Sequence, residues 1–374
     1  MNVAVIGGGT MGSMIAWRLA ERGVFATVFE QFSPGHDRSA AGGESRVFRM
    51  AYAEGAGYTP ILRRARELWR ELEHITRRKL LHEVGMLTIT PRDSAVLDTL
   101  DEGIMAHDLD CEILDGREIR RRFPQHRVAT SDVAVLDHLG GYLRPELAVA
   151  TAAHRAEMLG ATVRRYARVE AVEHRGSDIV VVEDGHAHRF DAAVVAPGPW
   201  LARMLPQFAG VVRAERRIGA WFVPRSPELW FGRDCPVFAR TSPGVSFYGM
   251  ASVDGVSVKL GVTSAREPAL PDPDLLDRTV SPEVLAPYRE VISEHLPDLH
   301  PDPIRVGAYQ ECFTDDHHAL LGPVSDRGNL LVAGGFSGHG FKMAPAVGDV
   351  VADLLTSGAP SLDVSALRTG RFRP

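Results

Sequence analysis

The chain has 374 residues, of which 45% are hydrophobic and 24% are charged, a composition typical of a folded protein with roughly two to three domains. The formal net charge is −6, and the sequence lacks the basic face of a nucleic-acid-binding protein. No segment has the pattern of a membrane span or a signal peptide, and the three cysteines have no zinc or disulfide spacing. We therefore expect a cytoplasmic protein that holds no metal and binds neither nucleic acid nor membrane.

The first thirty residues form the clearest local motif. A short β-branched strand at residues 3–6 leads into the sequence GGGTMG and a helix with apolar spacing, and a second strand ends at Glu30. Gly7, Gly9 and Gly12 form a G-x-G-x-x-G pattern inside this βαβ unit, with an acidic residue at nearly the expected distance. This context predicts a dinucleotide-binding turn. The alternative is a glycine-rich turn that only packs.

Each glycine of this pattern has its own physical role. Gly7 allows a tight turn, Gly9 lets backbone amides approach a pyrophosphate, and Gly12 lets helix and strand pack closely. The free N–H groups at the start of the helix favour phosphate. Glu30 would bind the ribose hydroxyls of an adenosine and repel a 2′-phosphate.

The middle of the chain alternates helices and strands. A loop rich in Gly, Ser and His covers residues 33–45, where a simple NAD-binding unit would enter its next helix, so this loop could follow an extended cofactor. The remaining predicted elements are a helix at 61–72, a strand at 85–90, a turn into a strand at 140–143, a helix at 145–158, meander strands at 163–172 and 179–183, a strand at 192–196, and alternating strands between 217 and 262.

The C-terminal segment repeats the order of strand, glycine turn and helix. A strand is predicted at 329–333, the turn GGFSGHG at 334–340, and a helix at 345–355. This element offers a second helix N-terminus with free N–H groups to a ligand. We therefore expect it to complete the domain that the N-terminus begins.

Several segments together carry a family resemblance. They are the turn at 7–12 with Glu30, GESRVFRMAYAEG at 43–55, GGYLRP at 140–145, APGPW at 196–200, FYG at 247–249 with VKLG at 258–261, and GGFSGHGFK at 334–342. In these segments the chain resembles the D-amino-acid-oxidase-like flavoproteins, and within them the monomeric sarcosine oxidase and N-methyltryptophan oxidase group. The resemblance covers nearly the whole chain.

The resemblance implies an α/β (α+β) fold and FAD as the cofactor. A Rossmann-like FAD-binding domain, at residues 1–84, 145–212 and 318–374, would be interleaved with a substrate domain of mixed, largely antiparallel sheet, at residues 85–144 and 213–317. The residues that the resemblance assigns to FAD binding are Gly7, Gly9, Thr10, Met11, Gly12, Glu30, Ser39, Ser45, Arg46, Val169, Gly198, Trp200, Gly335, Gly338, His339, Gly340, Phe341 and Lys342.

The same resemblance implies roles in catalysis and substrate binding. Arg46 would lie against the flavin ring, and Arg49 with Lys342 would bind a substrate carboxylate. Lys259 would lie beside the flavin where oxygen is reduced, and Tyr248 would line the substrate cavity, so Lys259, Arg46 and Tyr248 are the expected catalytic residues. From the residues alone, the two arginines could be surface side chains, Lys342 could cap a turn, Lys259 could be solvated and Tyr248 could belong to the core.

Two positions depart from the family pattern. Members with covalently bound flavin carry a cysteine where this chain has Tyr309, so we expect non-covalent FAD, with Cys312 as the alternative attachment point. Thr263 occupies the position of an active-site histidine of sarcosine oxidase. We expect Thr263 to contact the substrate, and we expect the substrate not to be sarcosine.

The leading hypothesis is an FAD-dependent oxidase of the C–N bond of an amino acid or secondary amine, which gives an imine and hydrogen peroxide with molecular oxygen as acceptor. A dehydrogenase of the same fold that uses another electron acceptor is the nearest alternative. An NAD-dependent dehydrogenase would leave the GGFSGHGFK turn unexplained, and a non-catalytic FAD-binding module would leave Arg49 and Lys342 unexplained. We expect a monomer.

Overall fold

The structure, a computed structural model, describes residues 1–231, 235–263 and 269–372. The helices in these ranges are α1 (Thr10–Glu21), α2 (Thr59–Thr76), α3 (Ala95–His107), α4 (Gly116–Arg122), α5 (Pro145–Met158), α6 (Leu201–Met204), α7 (Ala286–His295) and α8 (Ala344–Thr356). None of them is long and apolar enough to cross a membrane.

The strands belong to two large sheets and two small ones. In chain order they are β1 (Asn2–Ile6), β2 (Phe25–Glu30), β3 (Arg46–Phe48), β4 (Leu81–His82), β5 (Met86–Pro91), β6 (Cys111–Asp115), β7 (Asp132–Asp137), β8 (Gly141–Leu143), β9 (Thr162–Arg165), β10 (Val169–Arg175), β11 (Asp178–Glu183), β12 (His186–Phe190), β13 (Ala192–Val195), β14 (Val212–Phe222), β15 (Val237–Ser242), β16 (Val245–Ala251), β17 (Val258–Val262), β18 (Ala269–Leu270), β19 (Arg305–Thr314), β20 (Leu320–Pro323) and β21 (Leu330–Gly334).

The first large sheet has six strands in the order β20-β21-β13-β1-β2-β9, and every pair is parallel except β20 with β21. Successive side chains of a strand point to opposite faces. Val3 and Val5 therefore pack in the core that includes α1 and α8, whereas Ala4 and Ile6 pack in the core that includes the small sheet β10-β11-β12. Both faces are covered, which explains the apolar runs of the central strands. The predicted Rossmann-like part of the fold is confirmed.

The second large sheet has nine strands and is mostly antiparallel. Its order is β18-β14-β17-β16-β15-β5-β7-β6, and β19 pairs with β14 along its whole length. One face packs on α7 in an aromatic-rich core that contains Phe222, Trp230 and Phe238. The other face carries the charged side chains of the site described below. The predicted mixed, largely antiparallel sheet is confirmed.

One predicted strand, at 163–172, is divided in the structure. Its first part is β9, which extends the six-stranded sheet beside β2, and its second part is β10, which begins the small sheet. Between them Tyr166 has a left-handed φ of 57°, and the N–H of Ala167 donates to the carbonyl of Glu30 at 2.8 Å. No glycine or proline marks this break, so the sequence pattern did not reveal it.

The sheets also bear on the predicted domain division. The six-stranded sheet and β10-β11-β12 lie within 1–84, 145–212 and 318–374, and the nine-stranded sheet lies within 85–144 and 213–317 except for Val212. The second small sheet, β3-β8-β4, draws strands from both sets of ranges. The division itself stays a prediction, and residues 232–234, 264–268 and 373–374 of its ranges lie outside the described residues.

Candidate active site

The turn between β1 and α1 leaves open space in front of a helix. Gly7 has a φ of +95°, and a Cβ atom at Gly12 would lie 1.7 Å from the Gly7 carbonyl oxygen, so this approach requires a glycine at position 12. A Cβ atom at Gly9, in contrast, would meet no atom of the described residues within 4 Å. Among the described residues, no side chain caps the N-terminus of α1. Its free N–H groups therefore favour an anion in this space.

Glu30 closes one side of the same space. Its two carboxylate oxygens accept hydrogen bonds from the backbone N–H groups of Gly8 at 2.7 Å and Phe32 at 2.8 Å. Burial raises the pKa of this carboxyl, although the two hydrogen bonds oppose the rise. Nε2 of His36 lies 3.5 Å from the carboxylate, and burial lowers the pKa of His36 to about 4. The imidazole is therefore neutral near pH 7.

The turn between β21 and α8 forms the opposite wall of this space. Gly335, Ser337 and Gly338 have left-handed φ values of 66°, 51° and 84°. In the part of the chain that the structure describes, no side chain caps the N-terminus of α8. We call the space the glycine-turn cavity. Its lining includes Gly7, Gly9, Thr10, Met11, Glu30, His36, Ser39, Arg46, Val169, Gly198, Trp200, Glu311, Gly335, Ser337, Gly338, Gly340 and Phe341.

A second cavity, of about 650 Å³, lies against the nine-stranded sheet, and we call it the sheet cavity. Directly opposed residues of an antiparallel pair point to the same face. Glu215 therefore shares a face with Glu311, and Tyr248 shares one with Gly261. Side chains that line the sheet cavity include Arg46, Arg49, Glu54, Glu215, Arg217, Tyr248, Lys259, Thr263, Tyr309, Glu311, Phe313, His339 and Lys342.

Two cations face the sheet cavity over one aromatic ring. Cζ of Arg49 lies 4.9 Å and Nζ of Lys342 lies 5.1 Å from the centre of the Tyr52 ring. Burial is the largest influence on Arg49 and opposes its charge, but Glu54, at 2.6 Å, together with Tyr52 and Asp137, leaves the pKa of the guanidinium raised. Burial and the neighbouring Arg49 lower the pKa of Lys342 to about 7. The site thus has one fixed positive charge and one that changes near neutral pH.

A buried histidine holds the Tyr52 hydroxyl. Nε2 of His339 lies 2.9 Å from the carbonyl oxygen of His317, which can only accept, so Nε2 carries the hydrogen. Burial lowers the pKa of His339 to about 4, which leaves Nδ1 as an acceptor at neutral pH. The Tyr52 hydroxyl therefore donates to Nδ1 at 2.8 Å.

Lys259 is 1% exposed, so the solvated alternative for this lysine is wrong. Its Nζ donates hydrogen bonds to the carbonyl oxygens of Gly43 at 2.6 Å and Ser45 at 2.9 Å. It also lies 5.4 Å from the centre of the Trp221 ring. Burial first, and then the positive charge of Arg46, lower the pKa of Lys259 well below its usual value.

The glycine-turn cavity and the sheet cavity meet. The residues that line both are Arg46, Ser337, Gly338, Phe341 and Glu311. The Arg46 guanidinium donates to the carbonyl oxygens of Ala40 at 2.5 Å and Gly42 at 2.7 Å, and it lies 3.4 Å from the Glu311 carboxylate. A ligand that fills the glycine-turn cavity therefore reaches the sheet cavity at this junction.

Comparison with known proteins decides which ligand this is. Residues 2–354 match the family described as FAD dependent oxidoreductase. The chain belongs to this family. FAD is its cofactor, and the resemblance stated from the sequence motifs is confirmed.

The relatives of this family member span its full length. The monomeric sarcosine oxidase of Streptomyces avermitilis is 31% identical over 360 residues, which cover 96% of this chain and 94% of that protein. The monomeric sarcosine oxidase of Bacillus sp. (strain B-0618) is 29% identical over 99% of this chain and 96% of its own. The N-methyl-L-tryptophan oxidase of Yersinia pestis (strain Pestoides F) is 28% identical over 100% and 99%.

Solved structures share the fold. NikD, an amino acid oxidase of nikkomycin biosynthesis, superposes with a TM-score of 0.84 at 24% identity, and the match covers 98% of this chain and 96% of NikD. The L-proline dehydrogenase from P. horikoshii gives a TM-score of 0.85 at 22% identity and covers 99% and 97%.

The residues of this FAD dependent oxidoreductase fit the cofactor. The uncapped start of α1 and the open space at Gly9 would hold the pyrophosphate, and Glu30 would hold the adenosine ribose. At the junction, Nε of Arg46 and Oγ of Ser45 are buried and have no hydrogen-bond partner within the described residues. Buried polar atoms normally find a partner, so these two atoms are suited to polar groups of a bound flavin.

Most of the residues predicted to bind FAD line the glycine-turn cavity, and four do not. Gly12 packs behind the turn against Gly7. Ser45 is completely buried, and its carbonyl accepts from Lys259. His339 and Lys342 line the sheet cavity instead. The assignment of these residues to FAD binding stays a prediction.

The predicted substrate residues all line the sheet cavity, in different environments. Arg49 and Lys342 lie together over Tyr52, whereas Tyr248 lies on the sheet face, where burial raises the pKa of its phenol. Thr263 is exposed at the rim, and its hydroxyl donates to the carbonyl oxygen of Ser246 at 3.0 Å.

Sequence reasoning missed several residues of the site. They are His36, Tyr52, Glu54, Glu215 and Glu311. Tyr52 and Glu54 lie inside the quoted segment at 43–55, so their closeness to Arg49 was an available signal. Glu311 has no such signal, because its position depends on the pairing of β19 with β14.

Proposed function

We propose that this protein oxidises the C–N bond of an amino acid or secondary amine and yields an imine and hydrogen peroxide. The observation that carries the proposal is the pair of cations, Arg49 and Lys342, in the sheet cavity, which joins the glycine-turn cavity at Arg46. A substrate carboxylate is the natural partner of such a pair. The full-length relatives are named monomeric sarcosine oxidase and N-methyl-L-tryptophan oxidase, which supports this substrate class.

Arg49 keeps donors available for a carboxylate. Both hydrogen bonds to Glu54 come from Nη2, and Nε is buried without a partner within the described residues. Lys342 would add a second positive charge below its pKa of about 7. A carboxylate held at these two side chains would keep the adjacent carbon near the junction of the two cavities, which is positioning of the kind that accelerates reactions.

The chain's own contribution beyond positioning is electrostatic. Bound FAD would accept the two electrons that leave the substrate and deliver them to oxygen. Lys259, fixed by the carbonyls of Gly43 and Ser45, would place a donor at the sheet cavity without any rearrangement. We propose that this amine favours oxygen over another electron acceptor, and thus an oxidase over a dehydrogenase.

The substrate is proposed to differ from sarcosine. Thr263, at the position of a histidine in sarcosine oxidase, already donates its hydroxyl to Ser246 and lies at the rim. A threonine cannot supply the ring nitrogens of that histidine, so a substrate that depends on them would bind poorly.

We propose that FAD is bound without a covalent link. Tyr309 occupies the position of the linking cysteine and lines the sheet cavity. Cys312 is 7% exposed, and burial raises the pKa of its thiol to about 12. The thiolate is the reactive form, so Cys312 is a poor attachment point. Acid precipitation is expected to release the yellow colour into the supernatant, and a yellow protein pellet would contradict this proposal.

The reaction is tested on the purified holoenzyme with a panel of N-methyl, cyclic and aromatic amino acids. Without oxygen, a substrate should bleach the flavin band near 450 nm, an absorption that the family resemblance implies. With oxygen, the same substrate should give one peroxide per molecule oxidised. Bleaching without peroxide in air would indicate a dehydrogenase, and no bleaching with any amine would contradict the proposal. The sarcosine relatives named monomeric also lead us to propose a monomer, and the cytoplasmic location stays a prediction.

A further inference from the structure

A buried carboxylate lies at the junction of the two cavities. Glu311 is 8% exposed and lines both cavities. A Cβ atom at Gly338 would lie 3.0 Å from Glu311 Oε2, so the glycine turn leaves just enough room for this oxygen. Within the described ranges, its carboxylate accepts one hydrogen bond, from Nη1 of Arg46 at 3.4 Å. A buried charge with a single long contact is incompletely compensated.

The carboxylate directly across the sheet shows the contrast. Glu215 faces Glu311 in the β14–β19 register, and like charges in this position repel each other. The two oxygens of Glu215 are each bound by an arginine, Arg213 at 2.7 Å and Arg217 at 2.5 Å. Glu215 is therefore neutralised by the protein, whereas Glu311 keeps capacity for another cation.

Other charged groups near Glu311 belong to the substrate site. Lys342 is attracted by both Glu54 and Glu311, and the Tyr248 phenol is near enough to Glu311, Arg46 and Arg217 for each to influence its ionisation. Glu311 thus lies within electrostatic reach of the cation that would hold the substrate carboxylate. In an amino acid the amine is one carbon away from that carboxylate.

We propose that Glu311 binds the positively charged amine of the substrate and accepts its proton before oxidation. This inference rests on the proposed function. In the step, one N–H bond of the ammonium breaks, its electron pair stays on nitrogen, and the proton bonds to a carboxylate oxygen of Glu311. Nothing is oxidised or reduced at this point. The substrate class is then an amino acid whose nitrogen is protonated when it binds.

The chemistry gives a reason for such a residue. Oxidation of the C–N bond needs the nitrogen electron pair to form the new C=N bond, and an ammonium has no free pair. Amino-acid nitrogens are mostly protonated at neutral pH. A carboxylate that both recognises the ammonium and takes its proton therefore serves binding and reaction.

The first test uses two ligands of the same shape, neither of which can undergo the C–N oxidation described above. Trimethylglycine carries a permanent positive charge, and the anion of tert-butylacetic acid replaces its nitrogen with carbon. Their dissociation constants are measured on the holoenzyme from the change in flavin absorbance and by calorimetry, for the wild type, Glu311→Gln and Glu311→Asp. Glu290→Gln, an exposed carboxylate on α7, is the matched control.

The expected result is stated as the ratio of the affinities for the two ligands. Wild type and the control should bind trimethylglycine at least about tenfold more tightly than the anion of tert-butylacetic acid, which lacks the positive charge. Glu311→Gln should bring the ratio to about one or below, and Glu311→Asp should restore part of it. Three results would overturn the proposal: equal affinity of the wild type for the two ligands, no measurable binding of either ligand, or an affinity ratio that stays the same in Glu311→Gln. Flavin content shows that each variant is loaded. These measurements need no turnover, so they stand even if no amine bleaches the flavin.

The second test addresses the proton. With an oxidised substrate, Glu311→Gln should lower kcat/KM about 100-fold near neutral pH and much less at a pH above the pKa of the substrate amine, where the amine arrives unprotonated. Arg46, Lys342, Tyr248 and Arg217 face the same carboxylate, and of these Lys342 and Tyr248 can change their charge in both proteins. The comparison is therefore made as the ratio of variant to wild type at each pH. A ratio independent of pH would exclude proton transfer to Glu311.

Discussion

The two cavities of this protein differ in whether backbone or side chains form most of their walls. The glycine-turn cavity is formed mainly by backbone, from two glycine turns and the uncapped starts of α1 and α8. The sheet cavity is formed by side chains, with Arg49, Lys342, Lys259 and Glu311 brought together from separate strands and turns. The first cavity thus depends on local sequence, and the second depends on how distant strands pair.

This difference follows from what each cavity would contact. A pyrophosphate is held by N–H groups, which every residue provides, so the sequence must only keep side chains out of the way. A substrate carboxylate and amine require particular charges at particular places. We therefore expect changes in the first cavity to act through cofactor binding and folding, and changes in the second to act on individual steps.

The largest effect is expected from Gly12→Ala. Its Cβ would lie 1.7 Å from the Gly7 carbonyl oxygen, so the turn must shift, at a cost of about 3 kcal/mol or more, and bound FAD should be lost. Gly9→Ala is the matched variant, because its Cβ meets nothing within 4 Å and its φ is −73°. It should leave apoprotein stability nearly unchanged and weaken FAD at least about tenfold. Chemical unfolding and flavin titration measure both, and equal stability losses in the two variants would contradict this account.

In the sheet cavity, Lys259→Met is expected to separate the two halves of the reaction. The variant keeps the length of the side chain but loses the donor to Gly43 and Ser45. The rate at which oxygen restores the flavin band should fall about 100-fold, and reduction by substrate should change far less. Stopped-flow absorbance follows each half separately. Similar losses in both halves would remove the proposed role of Lys259.

The sequence was informative where structure is local. The βαβ unit with Gly7, Gly9, Gly12 and Glu30 was predicted because its residues lie within one supersecondary element. Helix α5 was predicted with its observed ends because Pro145 begins it and its apolar spacing is regular. Such features need no knowledge of the rest of the chain.

The sequence was uninformative where long-range pairing decides. Glu311 and Glu215 face each other only because β19 pairs with β14 in one register, and a shift by one residue would move both to the other face. Arg49, Lys342, Lys259 and Tyr248 came from the family resemblance, since spacing alone does not distinguish them from surface or core residues. Their partners Glu54 and Tyr52 are close to Arg49 in the sequence, but the contacts themselves are defined by the structure.

A smaller effect concerns the pH dependence of carboxylate binding. Lys342, with a pKa lowered to about 7 by burial and Arg49, is charged below that pH and neutral above it. The affinity for the anion of tert-butylacetic acid should therefore fall as pH rises through 7, by at most about tenfold per unit for one proton. Lys342→Met should bind weakly without this dependence, and the exposed Lys79→Met should retain it. A flat profile in the wild type would show that Lys342 keeps one charge state.

The smallest effect is expected from a change at Tyr52, whose uncharged ring lies beneath the two cations of the sheet cavity. Tyr52→Phe keeps the ring beneath Arg49 and Lys342 but removes the hydroxyl that donates to Nδ1 of His339 at 2.8 Å. Since His339 is buried, its Nδ1 would lose the one donor that the described residues offer it. The free energy of unfolding should therefore fall by about 1–2 kcal/mol. Tyr58→Phe is the control: its hydroxyl contacts Nδ1 of His318 at 2.6 Å in a more open place, where water can replace it.

If the ring is what supports the two cations, Tyr52→Phe should leave the affinity for carboxylate ligands within about threefold of the wild type, because a phenyl ring attracts cations nearly as a phenol does. For this one variant, thermal unfolding should therefore show a loss of stability, whereas ligand titration should show almost no loss of affinity. A large loss of carboxylate affinity with unchanged stability would mean that the hydroxyl, through His339, sets the position of Lys342, whose Nζ donates to the His339 carbonyl at 2.9 Å. The cations would then depend on the glycine turn as well as on the sheet, and the two cavities would not be independent.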